Sequence, residues 1–110
     1  LHLIIEGKSS ISLTDVRIRG FLLHFPRLIR VHRITEPLVV VQDGGYCGIV
    51  IIAESHISVH TRGLDVWADI FSCIGFDPLD ADSTARAVAR LLDLDQWRAR
   101  VVERPMPPPL

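Results

Sequence analysis

The chain has 110 residues, of which 48% are hydrophobic and 23% charged, and its net charge is −1; this is the balance of one globular domain with a single core. No basic stripe exists and no apolar run approaches the roughly 20 residues of a membrane span, so neither nucleic acid nor a membrane is an expected partner. No signal peptide is legible, so the cytoplasm is the expected compartment, and a start at Leu1 rather than Met is expected to reflect a few lost residues.

In chain order, Leu1–Glu6 reads as a strand ended by Gly7, with Lys8-Ser9-Ser10 as a loop. Leu13–Leu23 reads as a helix whose core face carries Leu13, Val16, Phe21 and Leu23. Thr14 and Asp15 suit its start, and Pro26 is expected to end it. Leu28–Ile34 alternates and is assigned to a strand, broken by Pro37. Leu38–Val41 begins another strand, and Asp43-Gly44-Gly45 is a strong turn signal before Cys47–Ala53. His56–Thr61 follows, then a turn at Arg62-Gly63 and a strand over Leu64–Ser72. Asp77-Pro78 opens a second helix, with Asp82 or Ser83 as its cap and Ala87, Val88, Leu91 and Leu92 as its apolar stripe. Trp97–Glu103 is the last strand, and Arg104–Leu110 is a Pro-rich extended tail. Runs of strands interrupted by two helices predict an α+β two-layer sandwich: a largely antiparallel sheet with both helices on one face.

The most distinctive stretch is Ala53-Glu54-Ser55-His56-Ile57-Ser58-Val59-His60-Thr61. Side chains alternate along a strand, so His56, Ser58 and His60 share one face while Ile57 and Val59 share the other. A polar face of this kind after the apolar run Ile49-Val50-Ile51-Ile52 is not what a plain core strand needs. Taken singly, each residue has an ordinary explanation: Ser55 as a strand-end serine, the histidines as an exposed face or a metal pair. A metal pair lacks a third ligand nearby, and no metal site is expected. Cys47 and Cys73 each read as a small buried hydrophobe, and neither belongs to a Cys-x-x-Cys pair.

Taken together, Glu54-Ser55-His56, His60-Thr61, Asp69-x-Phe71-x-Cys73 and Asp77-Pro78 resemble the small prokaryotic S-adenosylmethionine decarboxylase family, over about Gly44 to Pro78. Gly45 and Gly48 match glycines of the strand before the family's cleavage site. The resemblance implies self-cleavage at Glu54-Ser55 into a β chain, 1–54, and an α chain, 55–110, with Ser55 becoming a covalent pyruvoyl cofactor. It implies that His60 assists cleavage as a base, that Cys73 reprotonates the product carbon, and that the processed protomers form a homodimer with sites at its interface. The chemistry is coherent with the composition. Decarboxylating an α-amino acid needs an electron sink, usually pyridoxal phosphate held by Lys. The chain has one lysine, Lys8, in an early loop, and no glycine-rich phosphate cradle.

Departures from the family concern the substrate. Val41 stands where an aromatic residue stacks on adenine, and Cys47 where the family has serine. The Trp-Pro-Glu after His-Thr, whose Glu holds the ribose, is replaced by Arg62-Gly63-Leu64. Each lost contact is worth about 1–3 kcal/mol. Asp43 and Asp65 lie in the altered segments and suit a cationic side chain, so L-arginine or L-ornithine is the expected substrate, ahead of S-adenosylmethionine. If the nucleoside is bound after all, Tyr46, Trp67 or an aromatic of a partner chain is the candidate to stack on it. The different-class alternative is a non-catalytic relative that binds a partner or small molecule.

Overall fold

The computed structural model describes residues 2–72 and 78–103. Its elements run β1 (His2–Ser9), α1 (Asp15–Leu28), β2 (Leu38–Gln42), β3 (Gly45–Ile52), β4 (Ser55–Arg62), β5 (Asp65–Ser72), α2 (Pro78–Leu91) and β6 (Leu94–Val102). The strands form one six-stranded sheet in the order β2-β3-β4-β5-β1-β6, and every neighbouring pair is antiparallel. The α+β sandwich predicted from the element order is the observed architecture. No helix among the described residues is long and apolar enough to cross a membrane.

Alternation decides which face is covered. Leu3 and Ile5 of β1, Val50 and Ile52 of β3, Ile57 and Val59 of β4, and Val66, Ala68 and Ile70 of β5 all point inward and are buried. Helix α1 lies over β2, β3 and β4, and α2 over β1 and β6. Gly48 admits α1 to the sheet: a Cβ there would come within 2.9 Å of both Ile18 Cγ2 and Leu22 Cδ1. Among the described residues no helix lies on the opposite, outer face.

Several predicted boundaries are corrected. Helix α1 does not end before Pro26 but runs through it to Leu28. A proline in the last turn forfeits one hydrogen bond, while Phe21, Leu22, Phe25 and Pro26 are buried together. The buried stripe is Ile18, Phe21, Leu22 and Phe25, and Val16, expected in the core, is exposed. The proposed strand Leu28–Ile34 is instead the helix end and a loop. Arg30 is left-handed (φ 58°), with Arg30 N–H donating to Arg27 O (3.2 Å) and Val31 N–H to Pro26 O (2.9 Å). That is the paired closure that terminates many helices. Only Arg33 makes a β-bridge, to Ile52.

Strand β1 continues past Gly7 to Ser9. Gly7 does not end it; the glycine lets β6 approach, since a Cβ would lie 2.4 Å from Gln96 O. Asp82 and Ser83 sit inside α2 rather than capping it, and Asp82 pairs with Arg86 one turn on (2.9 Å). Strand β6 begins at Leu94, earlier than Trp97, and Leu94 is itself buried against the core.

Candidate active site at the turn between β3 and β4

Strands β3 and β4 are joined by the two-residue turn Ala53–Glu54, with Ile52 paired to Ser55 across it. Glu54 is left-handed, with φ 62°. The turn is braced from outside: Ala53 N–H donates to His32 O at 2.8 Å, and Ile34 N–H to Ile51 O at 2.8 Å. Ser55 is half-buried at the head of β4, and its Oγ donates to the Glu54 carbonyl oxygen. The hydroxyl thus lies at the carbonyl of the Glu54–Ser55 bond. Ser55 pairs with Ser72 of β5, which is buried. Cys73 follows Ser72 in the chain and lies outside the described residues, as does Asp77.

His56, Ser58 and His60 do share the outer face, with Ile57, Val59 and Thr61 buried opposite them. The His56 ring lies 5.4 Å from that of Phe71. His60 meets Trp67 edge-on at 5.7 Å and is paired across β3 with Cys47, a half-buried free thiol. His60 and Ser55 are not brought together within the chain. Five steps along the strand separate them, about 17 Å, and their odd spacing puts them on opposite faces.

The two aspartates lie at the far end of the sheet. Asp43 opens the Asp43–Gly44 turn and is exposed. Asp65 begins β5 opposite Arg62, and its Oδ1 accepts from Lys8 Nζ at 2.6 Å. Gly63 N–H donates to Gly44 O (2.8 Å), tying the two turns together. Seven strand residues, about 23 Å, lie between this end and Ser55. Here a depression of about 550 Å³ is bordered by Glu6, Lys8, Asp65, Trp67, Trp97 and Arg98.

A family model described as S-adenosylmethionine decarboxylase matches residues 1–105. The chain belongs to the S-adenosylmethionine decarboxylase family. The crystal structure of the adenosylmethionine decarboxylase from Aquifex aeolicus VF5 is similar in fold, with a TM-score of 0.69 at 21% identity, covering 97% of this chain and 95% of that one. No curated protein matches the sequence.

Membership of this decarboxylase family directs attention to outer-face residues that sequence reasoning did not assign. His2 Nε2 and Asp69 Oδ1 are 2.8 Å apart, and the His2 ring stands edge-on to Phe71 at 5.7 Å. His2, Phe71 and His56 therefore form a row of rings across β1, β5 and β4, beginning one residue from Ser55. Nothing in the sequence announces the His2–Asp69 pair, since only the register of β1 on β5 joins residues so distant in the chain. Among the described residues no group of three or more His, Cys, Asp or Glu side chains is arranged to hold a metal ion.

Proposed function

We propose that the protein is a pyruvoyl-dependent decarboxylase that cuts itself between Glu54 and Ser55 and acts as a homodimer in polyamine synthesis. The observation that carries this reading is the contact of the Ser55 hydroxyl with the Glu54 carbonyl in a left-handed turn, within a family that is in general pyruvoyl-dependent. Ser55 Oγ adds to the Glu54 carbonyl carbon, and its proton passes through a base to the departing amide nitrogen, leaving an ester and a free amine at residue 55. Loss of the Ser55 α-proton expels the Glu54 carboxylate and leaves dehydroalanine. Water then replaces the nitrogen, which departs as ammonia. The pyruvoyl group so formed supplies a ketone to condense with a substrate amine and an amide carbonyl to accept the electron pair freed by carbon dioxide. Cys73 is assigned the return of a proton to the product carbon.

A base must serve Ser55, at the end of β4 beside the turn, and His60 of the same chain is about 17 Å away along the strand. That separation supports a site completed by the partner's His60. The uncovered outer face supports a dimer built on it, since Leu38, Val40, Ile49 and Ile51 are exposed there in one patch. In such a dimer the Glu6–Trp67 depression of the partner supplies the substrate side-chain pocket, with Asp65 as its carboxylate for a basic substrate. Asp43, on the turn beyond β2, is left with a turn role.

Two expected results test the reading. Intact mass of the purified chain is expected to show fragments 1–54 and 55–110, and Ser55→Ala to remain whole; an uncut wild-type chain after long incubation at neutral pH would falsify it. Carbon dioxide release is expected to be faster from L-arginine or L-ornithine than from S-adenosylmethionine. Asp65→Asn is expected to raise KM for the basic substrate at least about tenfold without slowing cleavage, because it removes a charge-assisted contact. One observation favours the second substrate: Trp67, a partly exposed indole bordering the same depression, is a platform for adenine. Faster release from S-adenosylmethionine, lost in Trp67→Ala, would establish that alternative.

A further inference from the structure

The sheet contains three two-residue turns, and they answer the same demand differently. Gln42 pairs with Gly45 around Asp43–Gly44, Ile52 with Ser55 around Ala53–Glu54, and Arg62 with Asp65 around Gly63–Leu64. Each turn contains a left-handed residue. In two of them it is glycine, Gly44 at φ 73° and Gly63 at φ 58°. In the third it is Glu54, at φ 62°. The β2–β3 turn and the β3–β4 turn place this residue at the same, second position, at opposite ends of one strand. Glycine adopts the conformation freely, whereas in any other residue the Cβ crowds the following carbonyl oxygen. At Glu54 that oxygen belongs to the carbonyl against which the Ser55 hydroxyl rests.

We infer that Glu54 is a positioning residue for self-cleavage, acting through the strain of its left-handed backbone and not through its carboxylate. The inference rests on the self-cleavage reading above. Strain raises a rate only where it is released on the way to the transition state. Addition of Ser55 Oγ turns the Glu54 carbonyl carbon from planar to tetrahedral, so its oxygen leaves the plane in which it meets Cβ. The conformation persists because its surroundings fix it. Ile52 and Ser55 are held in the ladder, and Ala53 N–H is held by the His32 carbonyl at 2.8 Å. Among the described residues two other non-glycine residues are left-handed, Arg30 (φ 58°) and Asp93 (φ 54°). Both sit just past helix ends, with Arg30 N–H bonded to Arg27 O and Asp93 N–H to Arg90 O, where that conformation is ordinary. They serve as comparisons.

The test follows the uncut chain on denaturing gels as it refolds and cleaves. Glu54→Gly is expected to slow cleavage roughly 5- to 30-fold, the range that corresponds to the strain removed, while raising the melting temperature of the uncut chain, measured with Ser55→Ala also present. Glu54→Asn, which tolerates the left-handed region better than Glu, is expected to fall between. Glu54→Gln, which keeps the strain and loses the charge, is expected to cleave at the wild-type rate. Arg30→Gly is expected to raise the melting temperature and leave the cleavage rate unchanged. Glu54→Gly cleaving as fast as wild type would overturn the inference, because the strain would then be uniform along the reaction. So would Glu54→Gln slowing as much as Glu54→Gly, because the carboxylate would then be the active group. A wild-type chain that never cleaves fails at an earlier step and removes both readings.

Discussion

Co-expressed Ser55→Ala and His60→Ala chains are expected to regain a cleavage that neither shows alone. Ser55→Ala lacks the nucleophile. His60→Ala keeps it but lacks the base, whose loss slows a proton transfer by about 10²–10⁴-fold. If the site joins Ser55 of one chain to the partner's His60, a mixed dimer contains one complete site and one doubly damaged site. Only the His60→Ala chain is then cut. With random pairing about half the dimers are mixed, so about a quarter of all chains are cleaved. The readout is the mass of the fragments, with the two parents distinguished by a tag. A His60→Ala chain that cleaves normally by itself would remove the histidine from the mechanism. One that stays uncut even in mixed dimers would place His60 in its own chain's machinery, against the about 17 Å of strand between them.

The second large effect is on folding. Gly45 opens β3, and a Cβ on it would stand 2.0 Å from the Thr61 carbonyl oxygen and 2.7 Å from Thr61 Oγ1. Neither atom can yield easily. Thr61 is buried, and its Oγ1 accepts the Tyr46 N–H at 3.0 Å. Gly45→Ala therefore has to part β3 from β4 at the start of their ladder. We expect a loss of at least about 3 kcal/mol, or roughly 10–20 °C in melting temperature, measured with Ser55→Ala present so that cleavage does not intervene. A melting temperature within two or three degrees of the parent, on the order of the smallest effects, would show that the hairpin accommodates the methyl group.

The strands and the turn between β3 and β4 were legible because both are local. The alternation of His56, Ser58 and His60 with Ile57 and Val59 predicts the two faces of β4, and those are the faces observed. Asp43-Gly44 predicts a turn, and Gly44 is left-handed there. Glu54 and Ser55 are chain neighbours, so their contact needed no tertiary information. Helix α1 was misjudged where packing outweighs propensity. Counting the stripe from Leu13, which precedes the helix, rotated the expected face onto Val16, and burial of Phe25 and Pro26 carried the helix past its proline. The alternation in Leu28–Ile34 is real in the sequence but has no strand to pair with beyond the Arg33 bridge. The candidate site residues could be picked out of the sequence, but their places in the sheet could not. His60 lies about 17 Å of strand from Ser55, and the His2–Asp69 pair depends wholly on which strands adjoin.

The strand order has one more consequence. A break between Glu54 and Ser55 leaves β1, β2 and β3 on one piece and β4, β5 and β6 on the other. In the order β2-β3-β4-β5-β1-β6 these do not separate into halves. Strand β1 of the first piece is wedged between β5 and β6 of the second, and β3 lies against β4. The pieces are dovetailed, and pulling them apart means undoing three ladders together. Such a sheet can open a new chain terminus in its interior while the walls around that terminus stay clamped.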